Sequence, residues 1–299
     1  MIGIEQMSGI CDGRVIIVTG AGGGLGREYA LAFGAAGAKV VVNDINAQSA
    51  EKTVADIEDT GGEAIANTQD ITNYEQSASI VSEAIANFGD LHGVVNNAGI
   101  CRDRMFASMT EEEWDQVIAV HLKGHFCISS HAVHYWRDQF KQGHKVDARI
   151  INTSSGAGLN GSIGQSNYAA AKGGIASLTL NQAAELRRYG ITVNGLAPAA
   201  RTSMSEDAFA DMMKKPEDGS FDHYDPANVA PLVVWLGSAH SVDCTGRLFE
   251  AVGGEISLAD GWRSTLPIDK GAKWQADEIG DAVQELMSRE IPAQKVYGT

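Results

Sequence analysis

The chain has 299 residues, 44 % hydrophobic and 20 % charged, which is enough apolar material for a sizeable core and too much for a disordered protein. A formal net charge of −15 repels nucleic-acid phosphates and anionic membrane surfaces, so neither is expected as a partner. Cysteines without CxxC spacing, the lack of metal-ligand spacing, of a secretory leader and of an apolar run of membrane length, and a terminus other than S-K-L lead us to expect a reduced, cytoplasmic protein without a metal.

Residues 1–12 read as an N-terminal extension. Val15 to Thr19 is a β-branched run that passes straight into T-G-A-G-G-G-L-G, Thr19 to Gly26, and then into a helical pattern ending at Ala36. The spacing G-x-G-x-x-G is absent. Gly20, Gly24 and Gly26, with Leu25 among them, still offer a tight turn, close backbone approach and helix-N-terminal amides for a pyrophosphate, although surface loops also collect glycine. A second strand, Val40 to Asn43, ends at Asp44, 18 residues beyond Gly26. A carboxylate there accepts from ribose hydroxyls and repels a 2′-phosphate, which points to NAD over NADP, and neither Gly23 nor Ile45 offers a cation. The other reading of Asp44 is a solvated turn residue beside Asn46. A helix is expected over Ser49 to Thr60. Asp70 and Ile71, after the expected third strand, are placed to border an adenine, and a helix follows over Asn73 to Phe88. Gly93 to Asn96 reads as the fourth strand, with Asn97, Ala98 and Gly99 at its carboxyl end forming either part of a site or a plain turn.

One long helix is expected over Thr110 to Phe140, and a strand over Ile150 to Thr153 runs into Ser154 and Ser155, either of which could hold a substrate oxygen. In the helix Asn167 to Tyr189, Tyr168 and Lys172 are four apart and share one face. A free phenol titrates near ~10, and a proton carrier at neutral pH should titrate near ~7, a gap worth roughly 4 kcal/mol. An ammonium about 4 Å away supplies roughly that much at an effective dielectric of about 20. Ile191 to Gly195 and Leu248 to Val252 read as further strands and Pro226 to Gly237 as a helix. Ala199 to Tyr224 reads as a mobile substrate loop, and residues 263–299 as a C-terminal extension with an amphipathic helix over Ala276 to Arg289. The alternation predicts an α/β fold, a Rossmann-like doubly wound parallel sheet with helices on both faces, in a single domain over residues 13–262.

With T-G-x-x-x-G-x-G, N-N-A-G, a serine thirteen positions before the tyrosine and Y-x-x-x-K in this order, the chain resembles the short-chain dehydrogenase/reductase family from about Gly13 to Gly254. The resemblance implies that Tyr168 is the general acid/base, that Ser155 orients the carbonyl, and that Lys172 lowers the tyrosine pKa and holds the nicotinamide ribose. It also implies that the backbone near Pro198 and the side chain of Thr202 hold the carboxamide. Where the family carries an Asn that steadies a helix kink and a proton-carrying water, this chain has His121, as a functional substitute or as a structural histidine. Stretches such as N-A-G-I-C-R-D-R-M-F, V-H-L-K-G-H-F and G-Q-S-N-Y-A-A-A-K resemble the (3R)-hydroxyacyl-CoA dehydrogenase subgroup found in peroxisomal multifunctional enzymes, here expected without its companion domains. An insertion over Gln142 to Asp147 and the run Ala199-Ala200-Arg201 depart from that subgroup. The implied activity is NAD-dependent oxidation of a secondary alcohol, foremost a 3-hydroxyacyl-CoA in fatty-acid or sterol side-chain degradation. The alternatives are a 3-oxoacyl reductase, a dehydrogenase of free steroids and a non-catalytic nucleotide-binding or scaffolding protein. Lys214, Lys215, Arg263 and Lys270 are candidate cations for an acyl-CoA thioester, and a homodimer or homotetramer is expected.

Overall fold

The computed structural model describes residues 9–202, 213–259, 267–270, 279–289 and 296–297. Part of the expected substrate loop, Arg263 and the start of the tail helix lie outside the described residues. The strands are β1 (Val15–Thr19), β2 (Lys39–Asn43), β3 (Glu63–Asn67), β4 (Gly93–Asn96), β5 (Ala148–Thr153), β6 (Ile191–Ala199), β7 (Leu248–Val252) and β8 (Glu255–Leu258). They form one eight-stranded sheet in the order β3-β2-β1-β4-β5-β6-β7-β8. Every ladder is parallel except β7 with β8.

All five residues of β1 are buried because both faces of the sheet are covered, which is why the strand reads as a continuous apolar run. Ile16 and Val18 point to one core, shared with Tyr29 and Phe33 of α1 (Gly24–Ala35) and Val233 of a late helix; Ala47–Glu58 is α2. Val15 and Ile17 point to the other core, filled by Ile80 of α3 (Tyr74–Phe88), Trp136 and Leu186.

The long helix expected over Thr110 to Phe140 is interrupted. A capping box between Thr110 and Glu113 starts α4 (Glu111–Ile118), a π-helical turn over Ala119–Lys123 follows, and α5 (Gly124–Lys141) carries Trp136 into the core. Among the described residues the remaining α-helices are α6 (Gly156–Asn160), α7 (Ser166–Leu186), α8 (Ala230–Gly237) and α9 (Ile279–Ser288). Strand order reverses between β1 and β4, so a crevice opens at the carboxyl ends of the central strands. Among the described residues no helix is long and apolar enough to cross a membrane.

Candidate active site

A cavity of about 600 Å³ lies in that crevice. At one end Gly20 turns the chain at φ +64°, where a Cβ would stand 2.7 Å from the Cα of Ala98. A Cβ on Gly26 would fall 2.2 Å from the Gly20 carbonyl oxygen, so this glycine lets α1 close on the loop. Asn97 fastens the arrangement: its Nδ2 donates to the carbonyls of Thr19 at 3.0 Å and Gly20 at 3.3 Å. The N–H groups of Asn97 and Ala98 donate to Thr19 Oγ1 at 3.0 and 3.1 Å. Helix α1 starts beyond Gly23 without a side-chain cap, which leaves its first amides for a ligand anion. Gly20, Gly24, Leu25, Asn97, Ala98 and Gly99 line the cavity.

Asp44 lines the same end. Its Oδ2 accepts from the N–H of Gly22 at 3.0 Å and its Oδ1 from that of Asn46 at 2.9 Å, so the carboxylate is fixed while keeping acceptor capacity. Asn46 in turn caps α2, which fits the turn reading of this pair and leaves Asp44 facing the cavity. Asp70 and Ile71 lie outside the cavity lining. The Asp70 carboxylate accepts from the N–H and Oγ1 of Thr72 at 2.8 and 2.9 Å, and Ile71 is buried, its Cδ1 2.7 Å from where a Gly124 Cβ would stand.

At the other end β5 delivers Ser154 and Ser155 and α7 delivers Tyr168 and Lys172. The geometry separates the two serines. Ser154 Oγ donates to the Lys172 carbonyl at 2.8 Å and so fastens α7 to the strand, whereas Ser155 Oγ accepts from the Ala157 N–H at 3.2 Å and is close enough to the Tyr168 phenol to act on its pKa. Gly158 lets α6 pack on α7, since a Cβ there would fall 2.5 Å from the Lys172 carbonyl carbon. Asn167 sets the entry to α7: its Nδ2 donates to the carbonyls of Arg102 and Glu113, and its Oδ1 accepts from the Tyr168 N–H at 2.7 Å.

Lys172 is buried, donates through Nζ to the Thr153 carbonyl at 2.6 Å, and stands 5.5 Å from the Tyr168 ring centroid. Burial pushes its pKa down to about 7. Burial pushes the Tyr168 phenol upward, opposed by the Ser155 hydroxyl. The phenolate therefore needs more help than an exposed tyrosine would, and the lysine is already poised to lose its proton near neutrality.

His121 sits in the π turn, 1 % exposed, with its ring edge-on to Tyr168 at 5.1 Å. Its Nε2 lies 3.0 Å from the Ile100 N–H and 2.8 Å from the Ile100 carbonyl, accepting from one or donating to the other according to tautomer. Its Nδ1 has no hydrogen-bond partner among the described residues. Burial, with Lys172 next, pushes its pKa down to about 3, so the imidazole is neutral.

Pro198, one residue before the end of β6, pairs with Ala251 of β7, and the Thr202 methyl lies 3.4 Å from the place a Gly24 Cβ would take. Both line the cavity. Sequence reasoning missed Cys101, Gln165 and Tyr297 as lining residues, and Thr19 and Asn167 as fasteners, while the lining residues Met213 and His223 fall within the expected substrate loop. Thr19 and Asn167 had a signal, since each flanks a motif residue; Tyr297 had none. The Arg201 N–H donates to the Tyr224 carbonyl at 2.8 Å and its guanidinium pairs with Asp222, which joins the two ends of the expected substrate loop.

A glycine cradle with free helix amides, a fixed carboxylate and a serine-tyrosine-lysine group in one crevice fit a nicotinamide dinucleotide and proton transfer at an alcohol carbon. The family model for short chain dehydrogenase matches residues 14–213, and the chain belongs to that family: an oxidoreductase acting on CH–OH groups with a nicotinamide cofactor. It is 40 % identical over 296 residues to hydroxyacyl-CoA dehydrogenase ChsB1 of Mycobacterium tuberculosis, covering 96 % of this chain and 93 % of that protein. It is 42 % identical over 264 residues to peroxisomal multifunctional enzyme type 2 of Mus musculus, covering 85 % of this chain and 34 % of the mouse protein. The crystal structure of a short chain dehydrogenase from Mycobacterium avium superposes with a TM-score of 0.90 at 52 % identity, covering 97 % of this chain and 100 % of that one. The family expected from the motifs is thereby borne out.

Proposed function

We propose that the protein oxidises the C3 hydroxyl of a 3-hydroxyacyl-CoA to the ketone with NAD, in fatty-acid or sterol side-chain degradation. The observation that carries this reading is one cavity with Asp44 at its cofactor end and Ser155, Tyr168 and Lys172 at the other. Two relatives named for hydroxyacyl-CoA or peroxisomal multifunctional chemistry support the substrate class. The glycine loop and the α1 amides hold the pyrophosphate, Asp44 accepts from the adenosine ribose, Lys172 holds the nicotinamide ribose, and Pro198 and Thr202 hold the carboxamide. Bound nicotinamide supplies the hydride acceptor. Ser155 holds the substrate hydroxyl; Tyr168 Oη, as a phenolate stabilised by the Lys172 ammonium once its own proton has left to solvent, would take the hydroxyl proton and end as the neutral phenol. His121, neutral and fixed by Ile100, keeps the π turn and the tyrosine ring in place.

Among the described lining residues Lys172 is the only lysine or arginine, so no cation is at hand for a 2′-phosphate beside Asp44, which supports NAD. Lys214 and Lys215, exposed just after the lining residue Met213, suit the phosphates of coenzyme A. Exposed Phe126 and Phe140 on α5 and Leu180 on α7 support a homodimer or homotetramer built on those helices, which sedimentation would measure. The functional test follows NADH absorbance with 3-hydroxyacyl-CoAs, free hydroxy acids and hydroxysteroids, each with NAD and NADP. Fastest turnover is expected with a CoA thioester and NAD. Turnover of free steroids alone, or a preference for NADP, would refute the respective half of the reading.

A further inference from the structure

One piece of the cavity wall comes from the far end of the chain. Tyr297 forms a one-residue parallel bridge with Ser162: its N–H donates to the Gly161 carbonyl at 3.2 Å, and its carbonyl accepts from the Ile163 N–H at 3.0 Å. The segment it joins is the one that links Ser155 to Tyr168. Gly156 is what lets the ring approach, because a Cβ there would stand 2.7 Å from the Tyr297 Oη and 2.9 Å from its Cε2. Val296 seats the same segment, with Cγ1 3.4 Å from the place of a Gly161 Cβ. The ring is thus held against the backbone that follows the catalytic serine, remains 47 % exposed, and lines the cavity.

These contacts lie with Gly156 and the Gly161–Ile163 segment, between Ser155 and Tyr168, which puts Tyr297 at the substrate end. An aromatic ring fixed by its own backbone offers a flat apolar wall at little entropic cost. We infer that Tyr297 is a specificity-determining residue: its ring packs on the acyl group next to the reacting carbon and limits how bulky that group can be. The inference rests on the substrate class proposed above, and it gives the C-terminal segment a part in choosing among acyl groups. Tyr297 takes no part in proton transfer; its effect is on which substrates reach Tyr168.

The test compares wild type with Tyr297→Ala, Tyr297→Leu and Tyr297→Phe over 3-hydroxyacyl-CoAs of increasing chain length and over one with a branched or polycyclic acyl group. NAD affinity and thermal midpoint are measured alongside. In Tyr297→Ala the KM for the preferred unbranched substrate should rise roughly three- to tenfold while the bulky substrate gains relative to it, at unchanged NAD affinity. Tyr297→Leu should shift the ranking in the same direction by less, and Tyr297→Phe should keep the wild-type ranking because the ring, not the hydroxyl, makes the wall. An unchanged ranking in folded Tyr297→Ala and Tyr297→Leu would overturn the inference, as would equal losses for all substrates. Wild type inactive on every CoA thioester would instead refute the substrate class, and the inference with it.

Discussion

The two ends of the cavity are built from different materials. The cofactor end is backbone, with Thr19, Gly20, Asn97 and Ala98 hydrogen-bonded to one another and glycines where a Cβ has no room. The end we propose for the substrate draws on side chains such as Cys101, Gln165, Met213, His223 and Tyr297, which lie far apart in the chain. A backbone cradle cannot be tuned without being broken, whereas a side-chain wall can change residue by residue. Changes at the cofactor end should therefore affect every substrate alike, and changes at the substrate end should reorder substrates. The serine-tyrosine-lysine group shares the second end with those side chains, but it meets the reacting carbon of any substrate and should cost turnover without reordering anything.

The largest effect should come from that group. Tyr168→Phe keeps the ring against His121 but removes the proton carrier, so turnover should fall at least ~100-fold on every substrate while cofactor binding, followed by fluorescence titration, survives. Ordinary turnover would break the assignment. Lys172→Met should lower both rate and cofactor affinity, and it makes a pH prediction. The folded pKa of about 7 lies below the ordinary lysine value of 10.5. Between those values the unfolded chain binds the extra proton, so stability rises with pH across that window, and Lys172→Met should flatten the rise in thermal midpoint. Oxidation, which needs the lysine-tyrosine pair to have lost one proton, should rise with pH through about 7 in the unmodified enzyme.

At the cofactor end, Asp44→Ala removes hydrogen bonds worth roughly 1.5–3 kcal/mol when one partner is charged, so NAD efficiency should drop about ten- to a hundredfold on all substrates. NADP should improve only modestly, because Gly23 and Ile45 supply no cation. Kinetics with both cofactors decide it, and a wild type that prefers NADP would show that Asp44 does not face the ribose. The smallest effect is expected from His121→Asn, within about threefold in turnover, since an amide can donate or accept toward Ile100 in place of imidazole. With its pKa near 3, His121 contributes no limb to the activity profile at neutral pH, and the profile should keep its shape. A severe loss in a folded variant would give the imidazole a role of its own.

Legibility in the sequence followed the same division. Strands buried on both faces announce themselves as apolar runs, and a loop that must admit a ligand's backbone contacts announces itself as glycine, so β1, Gly20, Gly24 and Asp44 were readable from residues near one another. Ser154 and Ser155 were not separable, because two neighbours leaving a strand differ only in what lies on each side, here the Lys172 carbonyl for one and the Tyr168 phenol for the other. Asp70 was placed by analogy of position, yet its carboxylate closes on Thr72. The π turn has no local signal, since A-V-H-L-K has the pattern of any helix; only the resemblance, which puts a helix kink at the position of His121, pointed to it. Tyr297 stands 129 positions from Tyr168, and no local pattern links them.

The π turn over Ala119–Lys123 also acts as a phase adjustment. Helix α4 before it packs on α7, which carries the catalytic tyrosine, while α5 after it packs on α3 and β4 in the core. Each residue advances a helix by about 100°, so removing one residue there would let the helix rewind to ordinary pitch and turn one part against the other by that angle. Either Ile128 and Trp136 would leave their seats in the core or α4 would lift from α7. A single-residue deletion in this turn would thus put folding and catalysis in direct competition.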